Sequence, residues 1–491
     1  MIEYNRTDES LEEPARTLSV ADRYDVIVAG GGMAGVGAGI AAARQGCETL
    51  IIEQTSALGG LATVGLVTPL HDYLSGIGQE LMRNLKDADA IFRRASDPQR
   101  AKLVLDRMVD GAGCDLLLVT YVVEAIVENG EIRGVVVESK SGREAILAKR
   151  VIDCSGDADV AARAGCECMV GRSSDGLTQA CSMDFRVGGV NWEKYSDWDV
   201  KAEDPRWTDF IKKAVADGRL PYEIDNHLNW MTRLPDRPEK CGQDEVCICF
   251  AHSRDCHPLN NKDLTRMYME GRQQCEILLK FLRNNVPGFE QSFLTETAML
   301  LGVRDSRRVV GQYVLTGWDV ASFEHFDDVI AVSQHAFDIH NPDGPGNIKW
   351  IEAEIDGEKR YVIGSRAGFG TTWEPPGGKD VLSNWKGQTG KEMEFPKPIV
   401  EEIPYRSLVP RDVDNMLVAG RCLSADFEAQ SCMRLIMCCM AMGEAAGTAS
   451  ALSLKNNVSP REVDVTELQK ILVENGGNIG QDFREIPGLD R

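Results

Sequence analysis

The sequence lacks any long run of apolar residues and is short of positive charge. No stretch approaches the roughly 20 consecutive apolar residues that a membrane-spanning helix needs. The first 16 residues are polar and acidic, without the charged-then-apolar order of a secretory signal. The 54 Lys and Arg residues are outnumbered by 76 Asp and Glu residues, which gives a formal net charge of −22. Such a surface repels nucleic acid and anionic membranes, so we expect a soluble, cytoplasmic protein that binds neither.

The sequence also lacks the Cys-x-x-Cys pairs that zinc sites and iron–sulfur clusters usually show. Its 15 cysteines are an odd number and lie mostly in apolar runs, which indicates reduced thiols and not a disulfide framework. The densest cysteine group, with two histidines nearby, consists of Cys241, Cys247, Cys249, Cys256, His252 and His257. Residues 246–250 alternate like a strand, so Cys247 and Cys249 share one face. We therefore predict no metal site.

What the sequence does have is a glycine-rich turn between an apolar strand and an alanine-rich helix. Residues 24–29 are short and apolar, which is typical of a buried parallel strand. Gly30, Gly32 and Gly35 follow in Gly-x-Gly-x-x-Gly spacing and lead into a predicted helix over residues 34–44. A second predicted strand, residues 48–53, ends on an acid. This order within about 30 residues predicts a βαβ unit that binds a dinucleotide.

Each part of this motif has a physical role at a dinucleotide. Gly30 permits the tight turn, Gly32 lets a pyrophosphate approach the backbone, and Gly35 lets helix and strand touch. The helix N-terminus offers amides and a positive dipole end to the phosphates. The Glu53 carboxylate can accept hydrogen bonds from both hydroxyls of an adenosine ribose and would repel a 2′-phosphate. The residues alone therefore leave NAD and FAD open.

The rest of the chain divides by composition. The predicted segments are an arm (1–20), the first part of a nucleotide-binding domain (21–185), an inserted substrate or cap domain (186–395), the C-terminal part of the nucleotide-binding domain (396–455) and a tail (456–491). Residues 115–129 and 131–140 are predicted strands around the Asn129-Gly130 turn, and residues 146–154 form another. Residues 431–453 are helical in pattern, with small residues that permit close packing on a sheet.

Four blocks occur in a fixed order, namely AGGGMAGVGAG…IIEQ, ALGGLATVGLVTPL, VIDCSGDADVAARAG and NMLVAGRCLSADFEAQSCMRLIMCCMAMGEAAGTA. Together they resemble FAD-dependent oxidoreductases of the fumarate-reductase/glutathione-reductase superfamily. The stretch VPGFEQSFLTETAMLLGVRDSRRVVGQY also resembles the branch called simply FAD-dependent oxidoreductase. The resemblance covers most of residues 20–475 and implies that FAD, not NAD, is the resident cofactor. The sequence agrees, because no second Gly-x-Gly-x-x-Gly motif follows a strand.

The resemblance implies an α/β fold with a Rossmann-like FAD-binding domain, built on a parallel sheet with a three-stranded β-meander, plus an inserted α+β substrate or cap domain. Gly59 and Gly60 would lie along the phosphates or the flavin, and the Val122 backbone would meet the adenine. The helix that holds Gly443 would point its N-terminus at the pyrimidine edge of the flavin and so raise the flavin potential. The full predicted cofactor-binding set is Gly30, Gly32, Met33, Ala34, Gly35, Glu53, Gly59, Gly60, Val122, Gly156, Asp157, Gly420, Arg421 and Gly443.

Three residues are candidates for the substrate chemistry. Arg434 resembles the family arginine that holds a substrate carboxylate, although a structural salt bridge is the alternative. His71 follows the second glycine block and has a pKa suited to acid–base catalysis, although it could be an ordinary loop histidine. Arg304 shares a predicted helix face with Arg307 and Arg308, which would be either a patch for anionic substrates or an ion-pair network with acids such as Glu296.

These observations predict an FAD-dependent dehydrogenase or reductase that transfers hydride between bound FAD and a small organic substrate such as a carboxylate, ketone or alcohol. The alternatives are an electron-transfer flavoprotein subunit that passes electrons between protein partners, and a flavin-dependent hydroxylase. The external electron acceptor or donor is left open. The oligomeric state is open too, although a homodimer is common in such families.

Overall fold

The computed structural model describes residues 5–6, 9–71, 75–204, 206–236, 243–255, 257–335, 337–348, 350–355, 358–363, 381–383 and 400–489. The strands are Asn5–Arg6, Leu11–Glu12, Val20–Ala29, Thr49–Ile52, Ile91–Phe92, Ala95–Ser96, Asp115–Leu117, Tyr121–Glu128, Glu131–Ser139, Gly142–Asp153, Cys168–Val170, Cys181–Val190, Trp230–Arg233, Asp244–Ser253, Phe293–Thr297, Arg307–Val309, Val329–Ser333, Ile339–His340, Asn347–Ile348, Trp350–Ile355, Glu358–Ile363, Val381–Ser383, Glu401–Pro404 and Met416–Val418. The α-helices are Met33–Arg44, Gly76–Asp87, Pro98–Gly111, Asp159–Arg163, Trp192–Lys201, Thr208–Ala216, Asn261–Asn285, Gly317–Ser322, Phe427–Met433, Ile436–Lys455 and Val465–Glu474. Short 3₁₀ helices are Gly60–Ala62, Tyr405–Leu408 and Pro460–Glu462.

A seven-stranded sheet carries the first core. Its parallel part has the order Asp115–Leu117, Thr49–Ile52, Val20–Ala29, Gly142–Asp153 and Met416–Val418. Two further strands, Glu131–Ser139 and Tyr121–Glu128, continue antiparallel from the first half of Gly142–Asp153. The prediction of an α/β fold with a parallel sheet and a three-stranded meander is confirmed.

The predicted strand over residues 115–129 is in fact two strands. The first, Asp115–Leu117, extends the parallel sheet beside Thr49–Ile52, and the second, Tyr121–Glu128, belongs to the meander. The chain changes direction between them, where Val119 has a φ of 54°. A positive φ is unusual for a β-branched residue and interrupts the extended backbone that a strand needs. Apolar content alone did not reveal this break.

Two helices of the first core pack with almost no side chains between them. A Cβ on Gly443 of Ile436–Lys455 would lie 1.9 Å from the carbonyl oxygen of Ala34, in Met33–Arg44. A Cβ on Gly447 would lie 2.2 Å from the carbonyl oxygen of Ala38. The small residues were predicted to pack on a sheet, but Gly443 and Gly447 pack on another helix, because only residues without a large side chain let two helix backbones approach this closely.

The apolar segment predicted as one helix over residues 431–453 is broken. The helices Phe427–Met433 and Ile436–Lys455 meet at a bend of 93° around Arg434 and Leu435. No single helix in the described ranges is long and apolar enough to cross a membrane, and this bent pair passes such a test only when its two helices are taken together.

A second, antiparallel sheet forms a separate core with the helix Asn261–Asn285. Its strand order is Trp230–Arg233, Asp244–Ser253, Cys181–Val190 and Phe293–Thr297. The boundary predicted at residue 186 falls inside Cys181–Val190, which packs in the second core as a whole. Conversely, Leu315 and Phe337 of the predicted insert pack in the first core.

Candidate functional site

A cavity of about 590 Å³ lies at the carboxyl edge of the parallel sheet. Its walls include the residues that end or follow the strands Val20–Ala29, Thr49–Ile52, Gly142–Asp153 and Met416–Val418. Ligands of open α/β sheets bind at this edge because the loops that leave the strands diverge there. Twelve of the fourteen predicted cofactor-binding residues line it, namely Gly30, Gly32, Met33, Ala34, Glu53, Gly59, Gly60, Val122, Gly156, Asp157, Gly420 and Arg421.

The two glycine blocks meet at the floor of this cavity. The Gly59 amide donates to the Gly31 carbonyl oxygen at 2.8 Å, which holds the blocks side by side. A Cβ on Gly32 would meet nothing within 4 Å, so open space lies directly before this residue. Gly32 also begins the helix Met33–Arg44 without a side-chain cap. The first helix amides are thus left for a ligand, and this cradle fits a pyrophosphate.

Glu53 is buried and ties the turn together. Its Oε2 accepts a hydrogen bond from the Gly31 amide at 2.6 Å, and its Oε1 accepts one from the Thr55 amide at 2.7 Å. Each carboxylate oxygen can accept a second bond, so these contacts do not prevent binding of a ribose hydroxyl. The sequence predicted the place of Glu53 but not its contact with the turn.

Asp157 and Arg421, predicted separately, form an ion pair in the cavity wall. The Arg421 Nη2 donates to the Asp157 Oδ1 at 2.8 Å, and the Ser306 hydroxyl bridges the two side chains at 2.6 Å from each. Burial works to raise the pKa of Asp157, but the Arg421 guanidinium and the Ser306 hydroxyl hold it below its ordinary value. This pair joins the turn after Gly142–Asp153 to the segment that follows Met416–Val418.

Two predicted cofactor residues do not line the cavity. A Cβ on Gly35 would lie 1.7 Å from the Gly30 carbonyl oxygen, and Gly443 packs against Ala34. Both are positions of close backbone packing. The N-terminus of the helix that holds Gly443 does reach the cavity, at Ile436, and it has no side-chain cap.

A second cavity, of about 390 Å³, adjoins the first. The two share lining residues from three parts of the chain, Leu61, Val303, Arg421, Arg434 and Ile436. All three predicted substrate residues, Arg434, His71 and Arg304, line the second cavity. The structure therefore brings together residues that are up to 363 positions apart in the chain.

Arg434 lies at the helix break and faces both cavities. Its Nη2 donates to the Asp338 carbonyl oxygen at 2.7 Å and lies 3.4 Å from the Asp338 Oδ2. Its buried Nε has no hydrogen-bond partner among the described residues. Burial lowers the pKa of Arg434 to about 10, so the side chain remains cationic at neutral pH. The salt bridge weighed as an alternative is present and occupies one edge of the guanidinium.

The predicted helix face of Arg304, Arg307 and Arg308 is wrong. Arg307–Val309 is a strand paired with Cys168–Val170, so the three side chains diverge. Arg307 pairs with Asp159 at 2.5 Å, and Arg308 pairs with Asp305.

Glu296, the suggested partner of these arginines, instead lies 3.8 Å from Arg186. Of Arg304, Arg307 and Arg308, only Arg304 lines the second cavity. Its Nη1 donates to the Ala180 carbonyl oxygen at 2.8 Å.

His71 lies at the half-buried rim of the second cavity. Its Nδ1 is 3.1 Å from the Arg94 Nη1, and Arg94 also lines the cavity. The described part of the chain resumes at Ser75, after residues 72–74.

Four buried titratable residues were not predicted as site residues: Asp184 and His340, which line the second cavity, and His252 and Asp225, which do not line it but are linked to Arg304 through His252. The His252 Nδ1 lies 2.7 Å from the Asp225 Oδ2, and the His252 Nε2 lies 3.2 Å from the Arg304 Nη2. Burial lowers the pKa of His252 to about 4 and that of His340 well below its ordinary value. Both imidazoles are therefore neutral at neutral pH. The sequence did contain one indication that Asp184 could be a site residue, because it is an acid inside an apolar strand pattern.

The ligand-type atoms of Asp225, His252 and His340 lie within 4.8 Å of one another. Such a triad could bind a metal ion, but two guanidinium groups already adjoin it. Arg304 contacts His252, and the Arg254 Nη2 lies 3.5 Å from the Asp225 Oδ2. These cations oppose a divalent ion at short range. Of the cysteine group considered from the sequence, Cys247 and Cys249 are buried thiols, and Cys241 and Cys256 fall outside the described residues.

Comparison with known proteins connects this geometry to a family. The model of the family described as FAD dependent oxidoreductase matches residues 25–368 and 376–472. The tRNA uridine 5-carboxymethylaminomethyl modification enzyme MnmG of Dichelobacter nodosus is 36% identical over 120 residues, which cover 22% of this chain and 18% of the relative. The digeranylgeranylglycerophospholipid reductase of Methanoculleus marisnigri is 30% identical over 218 residues, which cover 38% of this chain and 52% of the relative.

These matches span about half or less of each relative's length. Among solved structures, a geranylgeranyl bacteriochlorophyll reductase-like protein from Thermoplasma acidophilum aligns with a TM-score of 0.42 at 13% identity, covering 92% of this chain and 84% of the other. The family match extends over most of the chain, and the cavity at the sheet edge has the cradle that a dinucleotide needs. The chain therefore belongs to the FAD dependent oxidoreductase family, is an enzyme of that class and binds FAD, as its motifs predicted.

Proposed function

We propose that the protein transfers hydride between FAD in the first cavity and a small organic carboxylate in the second. The observation that carries this proposal is the charge of the second cavity. Five arginines, Arg94, Arg206, Arg304, Arg421 and Arg434, line it against two acids, Asp184 and Asp338. The chain as a whole has a formal charge of −22, so this concentration of positive charge is local. A cationic cavity inside an acidic protein selects anionic ligands.

The position of Arg434 supports a carboxylate in particular. Its guanidinium lies in the wall that the two cavities share, and Asp338 occupies only part of it. A planar guanidinium can hold a carboxylate through two parallel hydrogen bonds and so fix the orientation of the attached carbon. The cavity volume, about 390 Å³, is at the lower end of the range for small-molecule sites.

The first cavity supplies the groups that would hold the cofactor. Gly32 and the following helix amides would bind the pyrophosphate, Glu53 the adenosine ribose, and the Ile436 end of the long helix would face the flavin. Bound FAD supplies a two-electron acceptor or donor for hydrogen transfer. Arg434 and Arg304 would hold the substrate anion next to it, and the buried surroundings of both arginines would keep water out.

An anaerobic assay tests the proposal. Holoenzyme is mixed with a panel of organic acids and with the neutral amide of each acid. Flavin bleaching is followed by visible absorbance. We expect acids to bleach the flavin with a kcat/KM at least about tenfold above that of their amides, because each amide loses a charge-assisted bond. Equal rates for acids and amides would overturn the carboxylate assignment.

Two further outcomes would point to the other functions weighed for this sequence. Product that carries oxygen from labelled O₂ would indicate a hydroxylase. Electron exchange only with a co-purifying protein, and with no panel compound, would indicate an electron-transfer subunit.

A further inference from the structure

Two buried carboxylates near Arg304 have opposite environments: Asp184 lines the second cavity, and Asp225 contacts His252, which contacts Arg304. Asp225 is held as an anion. Its Oδ1 accepts hydrogen bonds from the Asn226 and Gly346 amides, each at 2.7 Å, and its Oδ2 lies beside His252 and Arg254. Burial works to raise the pKa of Asp225, but His252 and Arg254 hold it well below its ordinary value. Asp225 therefore serves as a fixed negative charge.

Asp184 has none of these supports. It lies on the strand Cys181–Val190, is 1% exposed and lines the second cavity. Neither carboxylate oxygen receives a well-aligned hydrogen bond from an amide or a cationic side chain in the described part of the chain. Its neighbours there are the Cys249 thiol and the Ser182 hydroxyl. A carboxylate in such a place favours its protonated form more than an exposed one does.

The charged and titratable groups around Asp184 come from three further segments. They are Arg304 on the loop before Arg307–Val309, Cys247 and Cys249 on the adjacent strand, and Cys275 on the helix Asn261–Asn285. Burial raises the pKa of all three thiols, so they stay neutral and leave Arg304 as the charge that favours the Asp184 anion. The balance of burial against Arg304 places the pKa of Asp184 at about 6.

The other titratable groups in or near the second cavity are less suited to exchange a proton. The Asp338 Oδ1 accepts a hydrogen bond from the Asn347 side-chain Nδ2 at 2.8 Å, and Asp338 also pairs with Arg434. His252 is held between Asp225 and Arg304, and His340 lies 3.5 Å from Asp338. A pair of carboxylates whose environments separate them into a permanent anion and a proton carrier is a common basis for acid–base catalysis.

We infer that Asp184 is the catalytic acid–base residue of this enzyme, and that Asp225 and His252 position Arg304 against the substrate anion. This inference rests on the proposed function. The Asp184 carboxylate would take the proton lost from the substrate O–H or C–H bond as a C=O or C=C bond forms, and bound FAD would supply the acceptor for the hydrogen and two electrons that leave the neighbouring carbon. In the reverse direction Asp184 returns that proton. A guanidinium can only donate, so the His252 Nε2 accepts from Arg304 and holds it in place, and the proton of neutral His252 is on Nδ1, which lies 2.7 Å from the Asp225 Oδ2.

The first test needs no substrate. Infrared difference spectra of the holoenzyme are recorded during a titration between about pH 4 and pH 8. We expect a buried carboxylic acid band that disappears with a midpoint near 6 and that is missing in Asp184→Asn. Ser182→Ala should move this midpoint upward, because the Ser182 hydroxyl favours the anion. Glu444→Gln is the matched control, since it removes a different buried acid and should leave the Asp184 band unchanged.

The second test uses the best reductant of the panel, whether acid or neutral. The bleaching rate of the wild type should rise with pH through about 6, as the Asp184 anion forms. Asp184→Asn should lose this rise and bleach about 10²- to 10⁴-fold more slowly, with the concentration for half-maximal rate changed less than about threefold. His252→Ala should instead raise that concentration, and His252→Asn, which restores a donor, should recover part of it.

Absence of the Asp184 band, or a pH profile unchanged in Asp184→Asn, would overturn this inference whatever the panel shows. Failure of acids to outperform their amides would overturn the carboxylate assignment and leave the Asp184 band as an independent result. Loss of wild-type activity on treatment with a chelator, with recovery on addition of Zn²⁺, would show that the triad binds metal and would overturn the positioning role.

Discussion

The Glu53 carboxylate accepts a hydrogen bond from the Gly31 amide at 2.6 Å. The acid that follows Thr49–Ile52 therefore holds the glycine turn that follows the neighbouring strand Val20–Ala29. The Thr55 amide donates to the other oxygen of the same carboxylate at 2.7 Å. Glu53 is thus part of the architecture of the turn before any ribose is bound. Loss of its carboxylate should affect both FAD binding and the stability of the protein without FAD.

Glu53→Ala should weaken FAD binding about tenfold or more for each lost ribose hydrogen bond, since charge-assisted bonds contribute roughly 1.5–3 kcal/mol. Excess FAD should raise the melting temperature through ligand linkage, but a deficit should persist because the Gly31 amide has lost its acceptor. FAD occupancy after gel filtration and melts across an FAD titration measure both effects. Glu53→Gln, which keeps one acceptor, should be milder. Full occupancy and an unchanged melt in Glu53→Ala would contradict this role.

Gly443→Ala should separate the two closely packed helices. Its new Cβ would fall 1.9 Å from the Ala34 carbonyl oxygen, which is backbone and cannot rotate away. We expect a loss of about 1–3 kcal/mol in the free energy of unfolding, measured by denaturant titration. Gly111→Ala is the control, because a Cβ there meets nothing within 4 Å and should be neutral or slightly stabilising. Equal stability of the two variants would show that the helices have room between them.

Glu444→Gln should stabilise the protein at neutral and alkaline pH but not at acidic pH. Burial raises the pKa of Glu444 from 4.5 to about 7, and the Ile77 amide donates to its Oε2 at 2.9 Å. A raised carboxyl pKa means that the folded state holds the proton more tightly, so stability falls as pH rises from about 4.5 to about 7. Gln copies the protonated form and should exceed the wild type on the order of 1–3 kcal/mol at about pH 8.

The same comparison at about pH 4 should show little difference between Glu444→Gln and the wild type, because both then carry a neutral side chain. Denaturant titrations at the two pH values measure this. A difference that does not depend on pH would mean that folding leaves the pKa of Glu444 unchanged.

Arg434→Lys should retain FAD and bind an acidic substrate less well, because an ammonium cannot present the planar fork of a guanidinium. Loss of a charge-assisted bond of about 1.5–3 kcal/mol corresponds to about a ten- to hundredfold rise in KM. The concentration dependence of anaerobic bleaching gives this value. Arg411→Lys, at a half-exposed arginine paired with Glu167, is the control. Unchanged KM in Arg434→Lys would leave Arg434 with only its structural bond to Asp338.

The cofactor cavity was predictable because its chemistry is local in the chain. Gly30, Gly32 and Glu53 belong to one strand–helix–strand unit, and backbone geometry within such a unit follows from glycine placement and apolar pattern. The hairpin at Asn129-Gly130 was predictable for the same reason. Residues 115–129 were wrongly predicted as one strand, because this apolar run is divided between two strands in different parts of the same sheet.

The arginines of residues 304–308 show where local pattern fails. Their spacing suits a helix face, yet Arg307–Val309 pairs with Cys168–Val170, about 140 residues earlier in the chain. Backbone pairing with a distant strand overrides a spacing preference, because it satisfies amide and carbonyl groups that would otherwise be buried without partners. Arg304 is consequently the one member of the three that faces the second cavity.

The sequence by itself determined the FAD-binding unit, the order of its glycine blocks and its family, since these depend on neighbours in the chain. Only the tertiary structure decided that Arg434, Arg304, His71 and Asp184 share one cavity, and that His252 links Arg304 to Asp225. The break between Phe427–Met433 and Ile436–Lys455 and the second sheet create this arrangement. A buried charge depends on which distant groups surround it, and no short stretch of sequence contains that information.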